Sequence, residues 1–447
     1  MVRASAVAMC AALLTLAGSA EAEPTLTERL RLQGGYFTEA RPAPQPRIDS
    51  LYVAAIPELA LFWARPSSLV SVTYQLTGAL NSLGGASELA NRLVLASLWE
   101  LSARTTLLLS AEAAQTSFSN LLIARPAAAS NVALFPSVAN RVLTTRVVQG
   151  INHELTPRLR LEQGADAGYL TSIAPSPPIE TFLANVNVGL ERIWRNDGVG
   201  VELRAGYVNT KVPPPAPTQE FITLTGAPRW RHDWTNSLST TVSAGASVVF
   251  ATTGNTDPLL APFGRASALY LWEDTTFGLN YSVGVAASPL TGQVIRSDQV
   301  TANVFTPISQ HERVFLGASA GFLRASVVDL VNRANSQDFD ALLTDVDLTW
   351  QASGLVGVFA RYQFIAQLGE VNVAGVNPSF LRDFFLVGVQ LSSRPAGGDL
   401  VPTRFPQRVD GGDTRISGGA GGATGGSTLG GPAGRWVTTT PARPPAQ

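Results

Sequence analysis

The stretch Thr181–Lys211, TFLANVNVGLERIWRNDGVGVELRAGYVNTK, constrains the fold more than any other part of the chain. Phe182, Ala184, Val186, Val188 and Leu190 alternate with Leu183, Asn185, Asn187, Gly189 and Glu191. Beyond Arg195-Asn196-Asp197-Gly198 the alternation resumes, with Val199, Val201, Leu203, Ala205 and Tyr207 set against Gly200, Glu202, Arg204 and Gly206. A period of two on both sides of a turn sequence predicts a hairpin of two long strands, each with one apolar and one polar face. Glu191, Glu202 and Arg204 share their face with Asn and Gly, and such residues rarely line a dry core. A soluble sandwich packs the apolar face inward. A membrane barrel shows it to lipid and turns the polar face to a lumen. One hairpin fits both.

The rest of the chain separates them. Tight turns are expected near Ala64–Ser68, Ser102–Arg104, Leu155–Pro157, Arg195–Asp197, Thr235–Asn236, Glu273–Asp274, Ser309–His311 and Gln351–Ser353. Most neighbours in that series lie roughly 40 residues apart, which suits two spanning strands and one loop. Longer loops are expected between them at Ala40–Ser50, Asn81–Asn91, Ser117–Ala139, Ser172–Glu180 and Val212–Gln219. Further on they fall at Thr253–Leu260, Pro289–Ser297, Val327–Asp340 and Gly369–Ser379. Eight turns and nine loops give about eighteen strands, the last near Arg382–Ser393. The weakest strands are the first and those at Arg92–Leu101 and Arg141–His153, so sixteen is the fallback count.

Trp63, Trp99, Trp194, Trp234, Trp272 and Trp350 each precede or adjoin one of the short turns. Tryptophan favours the membrane interface, and six at matching strand ends read as one girdle. Composition agrees, with 45% hydrophobic but only 15% charged residues; an ordinary soluble domain carries about 25% charged residues. The formal net charge of −1 gives no electrostatic reason to expect a nucleic-acid partner. No run of 18 apolar residues is present, which excludes a helical membrane protein. Residues 1–22 read as a secretory signal, with Arg3 before a short apolar stretch and Ala20-Glu21-Ala22 as a cleavage sequence. Cys10, the single cysteine, lies inside it. The barrel is expected over residues 23–394, and the Gly- and Pro-rich segment 395–447 reads as a disordered periplasmic tail.

By alternation the lumen wall holds Arg29, Arg31, Glu58, Glu112, Arg158, Arg160, Glu162, Asp166, Glu191, Glu202, Arg204, Arg229 and Arg231. It continues with Arg265, Arg313, Asp345, Asp347 and Arg361. Both signs are interleaved among small polar residues, which predicts charges paired across strands. Residues from Arg158 to Arg204 in that set fall on three consecutive strands and suggest a bracing ladder. No aromatic stripe is expected on this face. Gly317-Ala318-Ser319-Ala320-Gly321 matches G-x-S-x-G, but that motif needs a strand-to-helix turn, and here it lies in mid-strand. His153, His232 and His311 lack metal-ligand spacing. No catalytic, cofactor or metal site is expected, and an enzyme is not the reading.

The signal, the hairpin array, the polar-in pattern and the one-ended Trp girdle together resemble Gram-negative outer-membrane β-barrels, specifically porins, over roughly residues 24–394. A weaker resemblance is to barrels that release exopolysaccharide. The resemblance implies an all-β, antiparallel up-and-down transmembrane barrel with short periplasmic turns and longer extracellular loops. Its partners are then outer-membrane lipid and the barrel-assembly machinery, with no cofactor. The short loops and the lack of a plug suggest a plain wide conduit exporting a hydrophilic polymer, in concert with periplasmic polysaccharide-export components. A diffusion porin for small solutes is the alternative, and a structural or adhesive barrel a third reading. Ser117–Ala139, with Leu121, Leu122, Ile123 and Leu134, is the one loop long enough to constrict the bore.

Overall fold

The computed structural model describes residues 24–40, 47–82, 87–117, 141–174, 179–211, 218–252, 257–287, 294–308, 314–328, 337–369 and 379–393. The expected signal, tail, Ser309–His311 turn and most of Ser117–Ala139 lie outside the described residues. The first nine strands are β1 (Thr25–Ala40), β2 (Ile48–Arg65), β3 (Ser68–Asn81), β4 (Ser87–Ser102), β5 (Thr105–Ser117), β6 (Arg141–Thr156), β7 (Leu159–Ala174), β8 (Glu180–Trp194) and β9 (Asp197–Lys211). The second nine are β10 (Gln219–Asp233), β11 (Leu238–Ala251), β12 (Leu259–Trp272), β13 (Thr275–Ala287), β14 (Val294–Pro307), β15 (Val314–Val328), β16 (Gln337–Gln351), β17 (Val356–Gly369) and β18 (Phe380–Ser392). Every strand pairs antiparallel with its sequence neighbours, and β1 pairs with β18 from Arg29–Ser392 to Ala40–Leu381. The sheet is therefore closed, and no edge is left unpaired.

Closure fixes the barrel's dimensions. Following the residue partners once around the wall returns to β1 displaced by about 22 residues. With a rise of ~3.4 Å per residue and a strand spacing of ~4.8 Å, that shear sets a tilt of about 40° and a backbone radius of about 18 Å. Each residue then climbs about 2.6 Å along the barrel axis. Relative height on different strands follows from the same register.

Connections at one end are short: Pro66–Ser67, Ala103–Arg104, Pro157–Arg158, Arg195–Asn196 and Glu273–Asp274 are two-residue turns. Arg195 and Glu273 take φ of 23° and 53°, the left-handed conformation that tight hairpins require at the first turn position. At the other end the strands run further than alternation suggests. β3 and β4 take up both ends of the expected Asn81–Asn91 loop, β14 takes the last four residues of Pro289–Ser297, and β15 and β16 take the ends of Val327–Asp340. These extensions are held by backbone ladders that lie above the apolar belt, where no lipid enforces alternation.

Candidate functional site

The outward face is set by alternation. Val186, Val188, Leu190, Val201 and Leu203 point away from the barrel, and Leu203 is 61% exposed. The six tryptophans of the expected girdle have this outward parity. Trp63, Trp99, Trp194, Trp234 and Trp272 share one height within about 3 Å, and Trp350 sits about 8 Å nearer the belt's centre. Arg192 stacks on Trp194 at 5.1 Å, and Trp234 Nε1 donates to Thr240 Oγ1 at 2.9 Å. Trp230, absent from the expected set, joins the girdle and donates to Asp197 Oδ1 at 3.1 Å.

A second aromatic ring was not foreseen. Tyr36, Phe182, Tyr207, Phe322, Tyr362 and Phe385 face outward about 26 Å above the tryptophans, near the loop end. Tyr36, Tyr207 and Tyr362 donate to Asp49 (2.9 Å), Glu220 (2.5 Å) and Asp383 (2.6 Å), so their hydroxyls are held at a polar boundary. Two girdles flanking an apolar band about 25 Å tall are the anatomy of a barrel that spans a bilayer.

The inward face carries a ring of paired charges at mid-height. Arg29 meets Glu58 at 3.1 Å, Arg92 meets Glu112 at 3.0 Å, and Arg361 meets Asp345 at 2.7 Å. Asp166 accepts from Arg146 at 3.4 Å and from Asn185 at 3.3 Å. Arg204 pairs with Glu202, and Asp347 accepts from Thr349 at 3.2 Å. Arg229 on β10 reaches Glu162 on β7 at 3.0 Å, spanning the two strands between. Gly189 and Gly200 face inward on those strands and leave the path clear. Side chains three strands apart converge only on the concave side of a wall. Arg229 and Arg231 flank the buried Glu191 at 3.9 and 3.7 Å.

Arg31 stacks over the Phe359 ring at 5.4 Å and donates to Gln390 at 3.3 Å. That ring lies across Gly388, where an added Cβ would meet it at 2.5 Å and the Leu32 carbonyl oxygen at 2.6 Å. Arg204 and Arg265 both stack on Phe263 at 5.4 Å. Arg160 pairs with Glu154 at the turn end. Arg158 differs from expectation: it is exposed in the Pro157–Arg158 turn, because β7 begins one residue later. Arg313 lies outside the described residues. The three-strand ladder is correspondingly revised, since its acids find partners on β6 and β10 as well.

The loop-end third of the inner wall departs further from expectation. It is largely apolar, although Gln367, Thr181 and Thr210 are buried in it, and it is shielded. Leu323, Phe339, Ile365, Phe380 and Phe384 are only 2–3% exposed and belong to inward-facing clusters on β14–β18 and β1–β3. A third cluster, around Val208, Phe221 and Val249, extends the collar to β9–β11. Within it Arg382 pairs with the fully buried Glu39 across the β1–β18 seam and lies between Phe380 (4.8 Å) and Phe37 (5.5 Å). Large apolar tips on a wall of about 18 Å radius would face water if the bore were open at that level. The bore is therefore not an open water-filled cylinder there, and the expected uniform lining of small polar residues holds only below the collar.

Thr276, Asn280 and Ser282 on β13, Gln299, Thr301 and Asn303 on β14, and Ser319 on β15 form a neutral sector below the collar. Ser319 lies in mid-strand opposite Asn303 and Asp345, without the sharp turn its motif requires. His153 bonds Thr105 at 2.8 Å and His232 bonds Asp197 at 2.7 Å, both near short turns, while His311 lies outside the described residues. Among the described residues no group of His, Cys, Asp and Glu is placed to hold a metal ion.

No protein family matches the sequence, and no curated protein matches it either. Solved structures do. Acinetobacter baumannii OccAB3 aligns with 82% of this chain and 99% of its own at 11% identity and a TM-score of 0.43. The siderophore receptor PirA of Pseudomonas aeruginosa aligns with 83% of this chain and 81% of its own, at 8% identity and a TM-score of 0.44. The outer-membrane protein OpdK of Pseudomonas aeruginosa aligns with 82% and 99%, at 12% identity and a TM-score of 0.38.

Proposed function

We propose that this chain is a diffusion channel of a Gram-negative outer membrane that passes small hydrophilic solutes. The observation that carries the reading is the sequence of linings along the bore. At mid-height, charges of both signs are bonded to one another on a wet wall. Above them the inner wall is largely apolar and buried, which we read as a narrower passage. Pairing leaves no sector with a dominant sign, which favours weak ionic preference over selection by charge. Narrowing favours selection by size. Export of a hydrophilic polymer asks for a wide conduit along the whole axis, and the collar weighs against it.

The test uses the purified full chain. In planar bilayers it should conduct with nearly equal preference for potassium and chloride. In vesicle swelling assays it should admit monosaccharides and amino acids and exclude long oligosaccharides. Passage of long oligosaccharides at rates near those of monosaccharides would return the export reading. A barrel that folds but neither conducts nor admits solutes would favour the structural or adhesive one.

A further inference from the structure

Between the two girdles the outward face is almost wholly apolar. Asn91 is bonded by the Tyr74 hydroxyl at 2.8 Å, Thr240 by Trp234, and Thr306 by Thr275 at 2.7 Å. Exposed Glu28 on β1 faces outward about 7 Å above the tryptophans, and two amides break the pattern at mid-height. Gln149 on β6 and Gln163 on β7 point away from the barrel, since Arg146 and Glu162 fix the inward parity of both strands. Gln163 is exposed and Gln149 half-exposed, and neither is hydrogen-bonded to a described residue. The register puts both within about 3 Å of the belt's mid-height and within about 2 Å of each other in height. An amide facing hydrocarbon without a partner is costly, because lipid tails offer nothing to bond.

We propose that the outer face of β5–β7 is an interface with a second copy of this chain, arranged about a two-fold axis parallel to the barrel axis. Such an axis brings together residues of equal height, so Gln149 meets the partner's Gln163 and Gln163 meets the partner's Gln149. An amide both donates and accepts, so this patch is complementary to itself, as an isologous contact requires. A lipid surface supplies no such complement at mid-height. Around the amides, Ala111, Ala113, Ala165 and Ala167 face outward and allow two walls to approach closely. The inference rests on the lipid-facing belt and is independent of what the bore passes.

The test uses full-length chains in a Cys10→Ser background, with Gln149→Cys and Gln163→Cys made as separate variants carrying tags of different size. Co-reconstituted in vesicles and oxidised, the mixture should give a covalent dimer containing both tags, at least fivefold above either variant alone. A Val188→Cys and Leu348→Cys mixture, facing lipid on β8 and β16, should give the background level. Combining Gln149→Leu with Gln163→Leu should convert the native barrel to monomers in nanodiscs while single-barrel conductance stays unchanged. Cross-linking no better than the Val188→Cys and Leu348→Cys background would overturn the interface, as would a purified native barrel that is monomeric in bilayers. Conductance measured on the same samples separates failure of the interface from failure of the channel reading.

Discussion

Placing an arginine at Val201 tests which face meets lipid and how deep it sits. Val201 is 53% exposed, points outward, and lies about 12 Å from the tryptophan girdle along the axis. At that depth the guanidinium cannot reach either interface without distorting the wall. A lipid-facing arginine near the midplane costs about 2–4 kcal/mol, falling to about 0–1 kcal/mol near the interfaces. Val201→Arg should therefore lower the folding free energy by about 3 kcal/mol, more than a hundredfold in the folding constant. Val199→Arg, one outward position closer to the tryptophans, should cost about half as much, because its longer reach lets the charge snorkel. Asn280→Arg, about 5 Å nearer the loop end and on the neutral inner sector, should cost less than about 1 kcal/mol, since the side chain enters water. Urea titrations of folding into phosphatidylcholine vesicles read all three. A flat depth profile along β9, or an Asn280→Arg penalty equal to that at Val201, would refute the assignment of faces.

Other perturbations probe the inner wall. Arg382→Leu strands the buried Glu39 carboxylate at the β1–β18 seam and should destabilise the barrel by about 3–5 kcal/mol, with Glu39→Gln in the same chain recovering part of that loss in the same titration. Gly388→Ala forces its Cβ into the Phe359 ring and the Leu32 carbonyl, and should cost about 1–3 kcal/mol, seen as a lower unfolding temperature on heat-modifiability gels. Glu162→Gln combined with Glu191→Gln removes two negative charges that Arg229 and Arg231 face, so the reversal potential in a potassium chloride gradient should move toward anion preference.

The strand count and the facing of most wall residues were legible because lipid enforces a strict period of two within the belt. Val186 and Asn187 cannot exchange places without exposing an amide to hydrocarbon. The tryptophans marked one interface for the same reason. Legibility fails where lipid stops acting. Beyond the tyrosine girdle both parities are wet or both are packed, and so Asn81–Asn91 read as a loop although β3 and β4 occupy its two ends. In Phe384-Phe385-Leu386-Val387 inner and outer residues are equally apolar, which hid the collar. Arg382 was missed because its parity is shared with Phe380 and Phe384. Glu162 and Arg229 were both placed on the wall, but their pairing depends on barrel curvature and two intervening glycines, which no local pattern encodes.

The axial order of linings makes size and charge separable. The mid-height ion pairs lie below the collar, whose own pair is Arg382–Glu39, so a solute crossing the barrel meets the two levels at different depths. Changing a charge at mid-height leaves the collar untouched, and trimming the collar at Phe384 leaves the mid-height ion pairs in place. Phe384→Ala removes a ring that packs edge-on against Tyr52 at 6.4 Å and opens space at the collar without altering a charge. It should raise the size limit in swelling assays and the single-channel conductance, with the reversal potential fixed. The paired Glu162→Gln and Glu191→Gln substitutions should do the reverse, moving the reversal potential while the size limit stays. If Phe384→Ala shifts ionic preference as strongly as it shifts the size limit, collar and charge ring act on the solute as one constriction, and the division of labour argued from their heights is wrong.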